Sequence, residues 1–368
     1  MNEGMQTGLA TLAAGEALAD DEVAALVRVI MTGQATDAQI GAFLMGIERV
    51  GVTAGAISGA VTAMREAVIP VRCERTPLID TCGTGGSGIS RRNVSTAVAL
   101  AVAACGVGVA KHGNRGLSSR SGSADVLERL GVNISAPPAV VARCVDEVGV
   151  GFLFAPALHP AMRHAAGPRR ELGFRTIFNL LGPLVNPAAV PRQTIGVFDP
   201  RRCVDMALAL GALGSERVFV VHGVRAGEHA SPEARPWIDD LSPDGETLVA
   251  EWHRGRLQLH TLRIEDAGLA PFPLSAIEGG DPADNAAALR ALVDGAPGPY
   301  RTAVQYSGAL ALLAAGYEEF DALPRLAQEI GAVLESGAAG RVLDALVECS
   351  RGPIAATTSA AGEGGKHA

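Results

Sequence analysis

From Leu78 onward, short apolar runs alternate with helical segments, and this alternation constrains the fold more than any other feature. LIDTC ends in Gly-Thr-Gly-Gly, and NVSTAVALAVAACG follows as a helix that stops at Gly106. VGVA predicts a second strand and SADVLERLG a second helix. Pro137-Pro138 opens the helix AVVARCVDEVG, and FLFA is a third strand; TIGVF, ALALGAL and RVFVVHG resume the pattern. Strands separated by helices pair in parallel, in a sheet covered on both faces. ETLVAEW and RLQLHTLRI read instead as a β-hairpin.

Ahead of this region, residues 9–69 carry helical spacing. Leu26, Val27 and Ile30, then Ile40, Phe43, Leu44 and Ile47, then Ile57, Val61, Met64 and Val68 form apolar stripes. Thr36 and Thr53 stand before two of the stripes as N-caps. Helical turns return at 160–187 and again at 281–350. The expected organisation is a helical domain at 1–76 with a return segment near 160–190, an α/β domain at 77–159 and 191–350, and a disordered tail at 351–368.

Hydrophobic residues make up 48% of the chain and aromatics 4%, so the core must be built from Ala, Val and Leu. A net charge of −8 argues against nucleic acid or an anionic membrane as the main partner. No apolar run approaches the roughly 18 residues of a membrane span, and no secretory pattern opens the chain. The cysteines are scattered without metal-like spacing and read as packed thiols of a cytoplasmic protein.

Local cations in an acidic chain need a local reason. Two glycine- or serine-rich loops follow predicted strands and precede predicted helices. In DTCGTGGSG the glycines let backbone N–H groups converge beside a helix N-terminus, which suits phosphate. Its spacing is neither that of a P-loop nor that of a Rossmann turn, and a tight turn explains it equally well. In KHGNRGLSSRSGSAD, Lys111 sits where a strand ends, the usual place for ligand contacts in an open α/β sheet. Ser118, Ser119, Ser121 and Ser123 offer hydroxyls near the next helix start. With Asn93, Ser95 and Thr96 between the loops, a small molecule carrying several phosphates is the expected ligand.

Asp239-Asp240 are adjacent carboxylates of a kind that suits Mg²⁺, and read equally as a solvated acidic turn. In Pro168-Arg169-Arg170-Glu171 of the helical return an arginine could grip a carboxylate with both nitrogens, and such Arg-Glu neighbours read more readily as a surface ion pair. No nucleophile motif is present.

DTCGTGGSG, NVST, KHGNRGLSSRSGSADVLERLG, FAPALHPAMRHAAGPRRELGFRTIFNLLGPLVNP and VVHG closely resemble the anthranilate phosphoribosyltransferase family, in the family's order over most of 10–350. The resemblance implies a small N-terminal helical domain hinged to a larger α/β domain with a mostly parallel central sheet, of the nucleoside phosphorylase/phosphoribosyltransferase kind. It implies a homodimer, and transfer of phosphoribose from phosphoribosyl pyrophosphate to the amine of anthranilate, in tryptophan biosynthesis. By position, Gly83, Gly86, Asn93, Ser95, Thr96, Lys111, Ser119 and Ser123 would hold the phosphoribosyl pyrophosphate, with Ser87, Arg91, Val94 and Ser118 beside them. Ser95, Asp239 and Asp240 would serve Mg²⁺. His112, Gly113, Asn114 and Arg169 would line the anthranilate path, with Lys111, Asn114 and Arg169 closest to the chemistry.

The chain departs from that pattern in its first loop, where Ser87 replaces an Asp and Ser90-Arg91 an Asn-Thr pair, so charge beside the phosphates rises. Its acidic pair is Asp-Asp rather than Asp-Glu, after a longer approach containing Trp237, and Ser307 stands for a common Asn. These changes leave two other expectations open: a relative using another aromatic acceptor, and a non-catalytic relative that binds nucleic acid. The second should lose KHGN and RREL and carry a basic surface, whereas this acidic chain keeps both motifs.

Overall fold

A computed structural model of the protein describes residues 2–86, 88–116, 120–226, 237–316 and 318–353. Among the described residues eight strands form one sheet: β1 (Leu78–Gly83), β2 (Gly108–Gly113), β3 (Val150–Phe154), β4 (Arg192–Gly196), β5 (Arg217–Val224), β6 (Trp237–Ile238), β7 (Thr247–His253) and β8 (Arg256–Leu262). Their order is β3-β2-β1-β4-β5-β7-β8, with β6 also on β5. The first five are parallel; the β7–β8 hairpin extends the sheet antiparallel to β5. The chain winds outward from β1 to β3 on one side and resumes with β4 on the other. A crevice therefore opens beyond the carboxyl ends of β1 and β4, where strand order reverses.

Burial on β5 follows the two-residue period of a strand: Val218 and Val220 enter one core, Phe219 and Val221 the other. The second core lies under helix Val94–Ala104, whose almost wholly apolar sequence is explained by burial all round, packed on helix Pro299–Ala314.

The first core is continuous with the N-terminal helices Glu3–Ala13, Asp20–Met31, Asp37–Val50 and Ala54–Glu66. The Thr36 and Thr53 hydroxyls accept from the amides of Gln39 and Ala56, as caps do. Ile177, Phe178, Leu180 and Leu181 of the return segment are buried in the same cluster as Ile57 and Val61. The architecture is thus a helical N-terminal region on a larger α/β body with a mostly parallel sheet. Residues 354–368 of the expected tail lie outside the described residues.

Two strand-end glycines make the crevice possible. A Cβ at Gly196 would collide with the carbonyl oxygen of Asp239, and one at Gly223 would stand 2.6 Å from that of Asp240. Only bare backbone lets the acidic pair cross so close to β4 and β5. Gly196→Ala must push backbone rather than a pliable side chain, so it should cost about 2 kcal/mol of stability; urea denaturation checks this, and an unchanged midpoint would mean that the Asp239 segment yields freely.

Candidate functional site

The carboxyl ends of β1, β2, β4 and β5 open on a cavity of about 680 Å³, which the return segment also lines through Met162, Arg169 and Phe178. Every described residue expected at the site reaches it. Gly83, Gly86, Arg91, Asn93, Val94, Ser95 and Thr96 come from β1 and the chain into the next helix. Lys111, His112, Gly113, Asn114 and Ser123 come from β2 and its sequel, and Asp239 and Asp240 from the segment after β6. Ser87, Ser118 and Ser119 lie outside the described residues, as do 227–236 of the approach to the acidic pair.

Gly85, Gly86 and Gly88 take φ of 66°, 89° and 74°, the left-handed region that glycine enters without a Cβ penalty. Arg175 of the return segment donates to the Gly86 carbonyl and stands 4.0 Å from the centre of the Phe198 ring. The side chain of Asn93, at the helix start, makes no capping bond; its amide donates to Ser121 O and its oxygen accepts from Asn285. The helix end is therefore not capped by its own Asn.

Lys111 is 2% exposed, and its ammonium donates to Thr81 O at 2.6 Å and to Ser95 Oγ at 3.3 Å. An ammonium has three donors, and the third has no partner among the described residues. Burial pulls its pKa down, and the charge of Asp80 opposes that. Asp80, in the middle of β1, is fully buried; it accepts from the His112 amide at 3.1 Å and from Asn186 Nδ2 at 2.8 Å. Burial pushes its carboxyl up, countered chiefly by Lys111.

His112 is fixed from both ring nitrogens: Nδ1 lies 3.1 Å from the Gly182 carbonyl, and Nε2 lies 3.1 Å from Nε2 of His159. A carbonyl only accepts, so His112 carries its proton on Nδ1. His159 must then donate its Nε2–H to the bare Nε2 of His112. Burial pushes His112 down to about 3 and His159 to about 4, which keeps both rings neutral.

Arg91 is not a spare cation beside the phosphate loop. Its guanidinium spans the acidic pair, 2.5 Å from Asp239 Oδ1 and 3.5 Å from Asp240 Oδ2. Asp240 also accepts from the Leu241 amide at 2.8 Å and from Ser307 Oγ at 3.3 Å. Burial raises the Asp240 carboxyl and Arg91 lowers it. Arg92 turns away, to Asp284 O and Asn285 Oδ1. The two carboxylates and the Ser95 hydroxyl are hard oxygen donors of the type Mg²⁺ takes. Among the described residues they join no third acid, His or Cys in a metal-binding group.

Arg169 is half-buried, with no ion pair to a described residue, and its guanidinium lies 5.6 Å from the centre of the Phe178 ring. The neighbour Glu171 is not its partner, so the surface-pair reading fails. Asp80, His159, Asn186 and Arg175 escaped the sequence reading. Asp80 had a usable signal, an ionisable residue inside an apolar run; the others reach the site from far along the chain.

Two models of the glycosyl transferase family match the chain: its helical bundle domain over residues 7–68 and its a/b domain over 75–340. Anthranilate phosphoribosyltransferase of Moorella thermoacetica is 44% identical over 93% of this chain and 97% of its own length. That of Phenylobacterium zucineum is 46% identical over 95% and 99%. The crystal structure of anthranilate phosphoribosyltransferase from Thermus thermophilus superposes with a TM-score of 0.84 at 41% identity, covering 94% of this chain and 99% of that one. The Saccharomyces cerevisiae enzyme in complex with PRPP and Mg shares the fold at 24% identity and a TM-score of 0.83, over 95% and 98%.

The histidine pair predicts a pH effect. The unfolded imidazoles take protons near 6.5 while the folded ones refuse them until about 4 and about 3, so stability is lost as pH falls below about 6.5. In His159→Gln one of these groups is gone. The stability gap between wild type and variant should shrink on acidification from about 6.5 to about 4, by up to ~1.4 kcal/mol per pH unit. Denaturant titrations at several pH values measure it; a gap that stays constant would mean His159 is protonated as easily folded as unfolded.

Proposed function

The chain belongs to the glycosyl transferase family and, within it, to the anthranilate phosphoribosyltransferases, and from that premise we propose what its residues do. The reaction moves the phosphoribosyl group of phosphoribosyl pyrophosphate to the amine of anthranilate, in tryptophan biosynthesis. The bond from ribose carbon to pyrophosphate oxygen breaks, the pyrophosphate leaves with the electron pair, and the amine nitrogen bonds to that carbon. One observation supports the reading above the others: a single cavity joins a glycine-loop strand end with buried Lys111 to a half-buried Arg169 that has no ion pair to a described residue.

Such a reaction needs a stabilised leaving group more than a nucleophilic side chain. Lys111, held by Thr81 and Ser95, keeps one N–H for a phosphate oxygen. Gly83, Gly86, Asn93, Val94, Thr96 and Ser123 would cradle the same ligand. Ser87, Ser118 and Ser119 are assigned there by position in the motif alone. Arg169 over Phe178 would take the anthranilate carboxylate, and the carboxylate's charge would complete a site that burial has partly desolvated. Gly113, where a Cβ would collide with Ser123 and Phe152, would line the path of the ring, and His112 and Asn114 would orient it, with the amine placed as a neutral nucleophile. Mg²⁺, held by Asp239, Asp240 and the Ser95 hydroxyl, would supply charge stabilisation to the pyrophosphate.

We take 1–76 with 160–190 as the helical domain, 77–159 and 191–350 as the α/β domain, and the enzyme as a cytoplasmic homodimer joined through its helical domains. No described helix is long and apolar enough to cross a membrane.

The test is the fall of anthranilate fluorescence with phosphoribosyl pyrophosphate and Mg²⁺. Protein-dependent loss with pyrophosphate release is expected; ligand binding without loss would point to another acceptor. In the same assay Lys111→Ala should lower kcat by about a hundredfold, and a retained rate would remove Lys111 from leaving-group stabilisation. Arg169→Ala should raise the KM for anthranilate about tenfold and spare that for phosphoribosyl pyrophosphate; the reverse pattern would exchange the two subsites.

A further inference from the structure

We propose that Arg91 is a resident cation of the acidic pair, one that a divalent metal must displace from Asp239 and Asp240. Guanidinium and metal then exclude each other, and the ligand-free protein holds the metal weakly. The proposal rests on the reading of the pair as a metal seat and adds a competitor for it.

The geometry carries the claim. Arg91 is 2.5 Å from Asp239 Oδ1 and 3.5 Å from Asp240 Oδ2, with all three side chains largely shielded from water, so the attraction is weakly screened. A cation needs the anionic charge of both carboxylates, and one guanidinium already answers part of it. Ser95 Oγ, the third expected donor, already accepts from Lys111 at 3.3 Å and keeps one lone pair.

Arg91 is also built to let go. Its backbone is pinned: Arg91 bridges to Glu278, the amide of Arg92 donates to Ile277 O at 2.9 Å, and a Cβ on Gly279 would collide with the Arg91 carbonyl. Release can therefore involve the side chain alone. Arg91 Nε is buried and finds no hydrogen-bond partner among the described residues. That orphan donor makes the clamp costlier than a fully satisfied pair. The side chain already lines the cavity, so a guanidinium driven off the acids stays beside the pyrophosphate subsite and could meet its oxygens.

The experiment uses the full-length, ligand-free protein and Mn²⁺ as the probe, with free Mn²⁺ read by electron paramagnetic resonance. Arg91→Met keeps the apolar stem that packs in the site, and Arg91→Ala serves as a second variant; thermal melts confirm folding. Both should bind Mn²⁺ at least about tenfold more tightly than wild type, and adding Asp239→Asn should abolish the gain. Equal affinity in wild type and variants would overturn the competition while leaving the phosphoribosyl transfer intact. A gain that survives Asp239→Asn would overturn it as well, by placing the metal elsewhere. No Mn²⁺ binding by any form would overturn both the competition and the assignment of metal to the acidic pair.

Discussion

Everything at this site hangs on one buried carboxylate in the middle of the sheet. Asp80 accepts the amide of His112 on β2 and the amide of Asn186, whose Nδ2 also donates to Ala110 O at 2.8 Å. Through those bonds β1, β2 and the chain leaving the return segment are held in one register. An isolated buried carboxylate would be prohibitive, and the nearby Lys111 charge is what makes this one tolerable. The dependence runs both ways, since Asp80 is the charge that most keeps the Lys111 ammonium protonated against burial. A lysine that stays charged while desolvated is a stronger electrostatic partner for a leaving anion than one in water.

The same logic sets the histidines. His112 follows Lys111 on β2, so its amide serves Asp80 while its ring is held by His159 and by Gly182 of the return region. One residue thereby couples sheet and helical return. Neutral rings suit this position, because a cation next to Lys111 would repel it; that repulsion is among the causes that lower His112. Arg175 makes the matching contact on the other side, from the return segment to Gly86. The glycine loop and the acceptor region are thus tied to the same small stretch of chain.

The alternation of apolar runs and helices was enough to read the parallel sheet, and the strand-end position of Lys111 was enough to place it at the cavity. The hairpin was legible as a pair of strands, but not as a sheet extension, because nothing local in ETLVAEW says which edge it meets; β5 supplies that edge. Arg91 shows the limit more sharply. Its sequence neighbourhood is a phosphate loop, so added positive charge there was the natural reading. Its actual partners lie 148 and 149 positions along the chain, at a distance no local pattern encodes. His159 is hidden in the same way, 47 residues from His112. Asp80 differs, since a lone acid inside LIDTC was visible and simply outweighed by the glycines that follow it.

The charges inside the cavity bear on how it can meet a polyanion. Lys111 is matched by Asp80 and Arg91 by the acidic pair, so neither brings unbalanced charge to an arriving pyrophosphate. Among the described residues, the groups without a charge partner at the cavity include the third N–H of Lys111 and the return-segment arginines Arg163 and Arg169. A pyrophosphate with several negative charges exceeds what those can neutralise. Either cation enters with it, or the acids give up Arg91 to it. These are the same event seen from two sides, because metal on Asp239 and Asp240 is what would free the guanidinium. In a chain whose net charge is −8, such an exchange raises the positive charge of the pocket only when the anion is there to receive it.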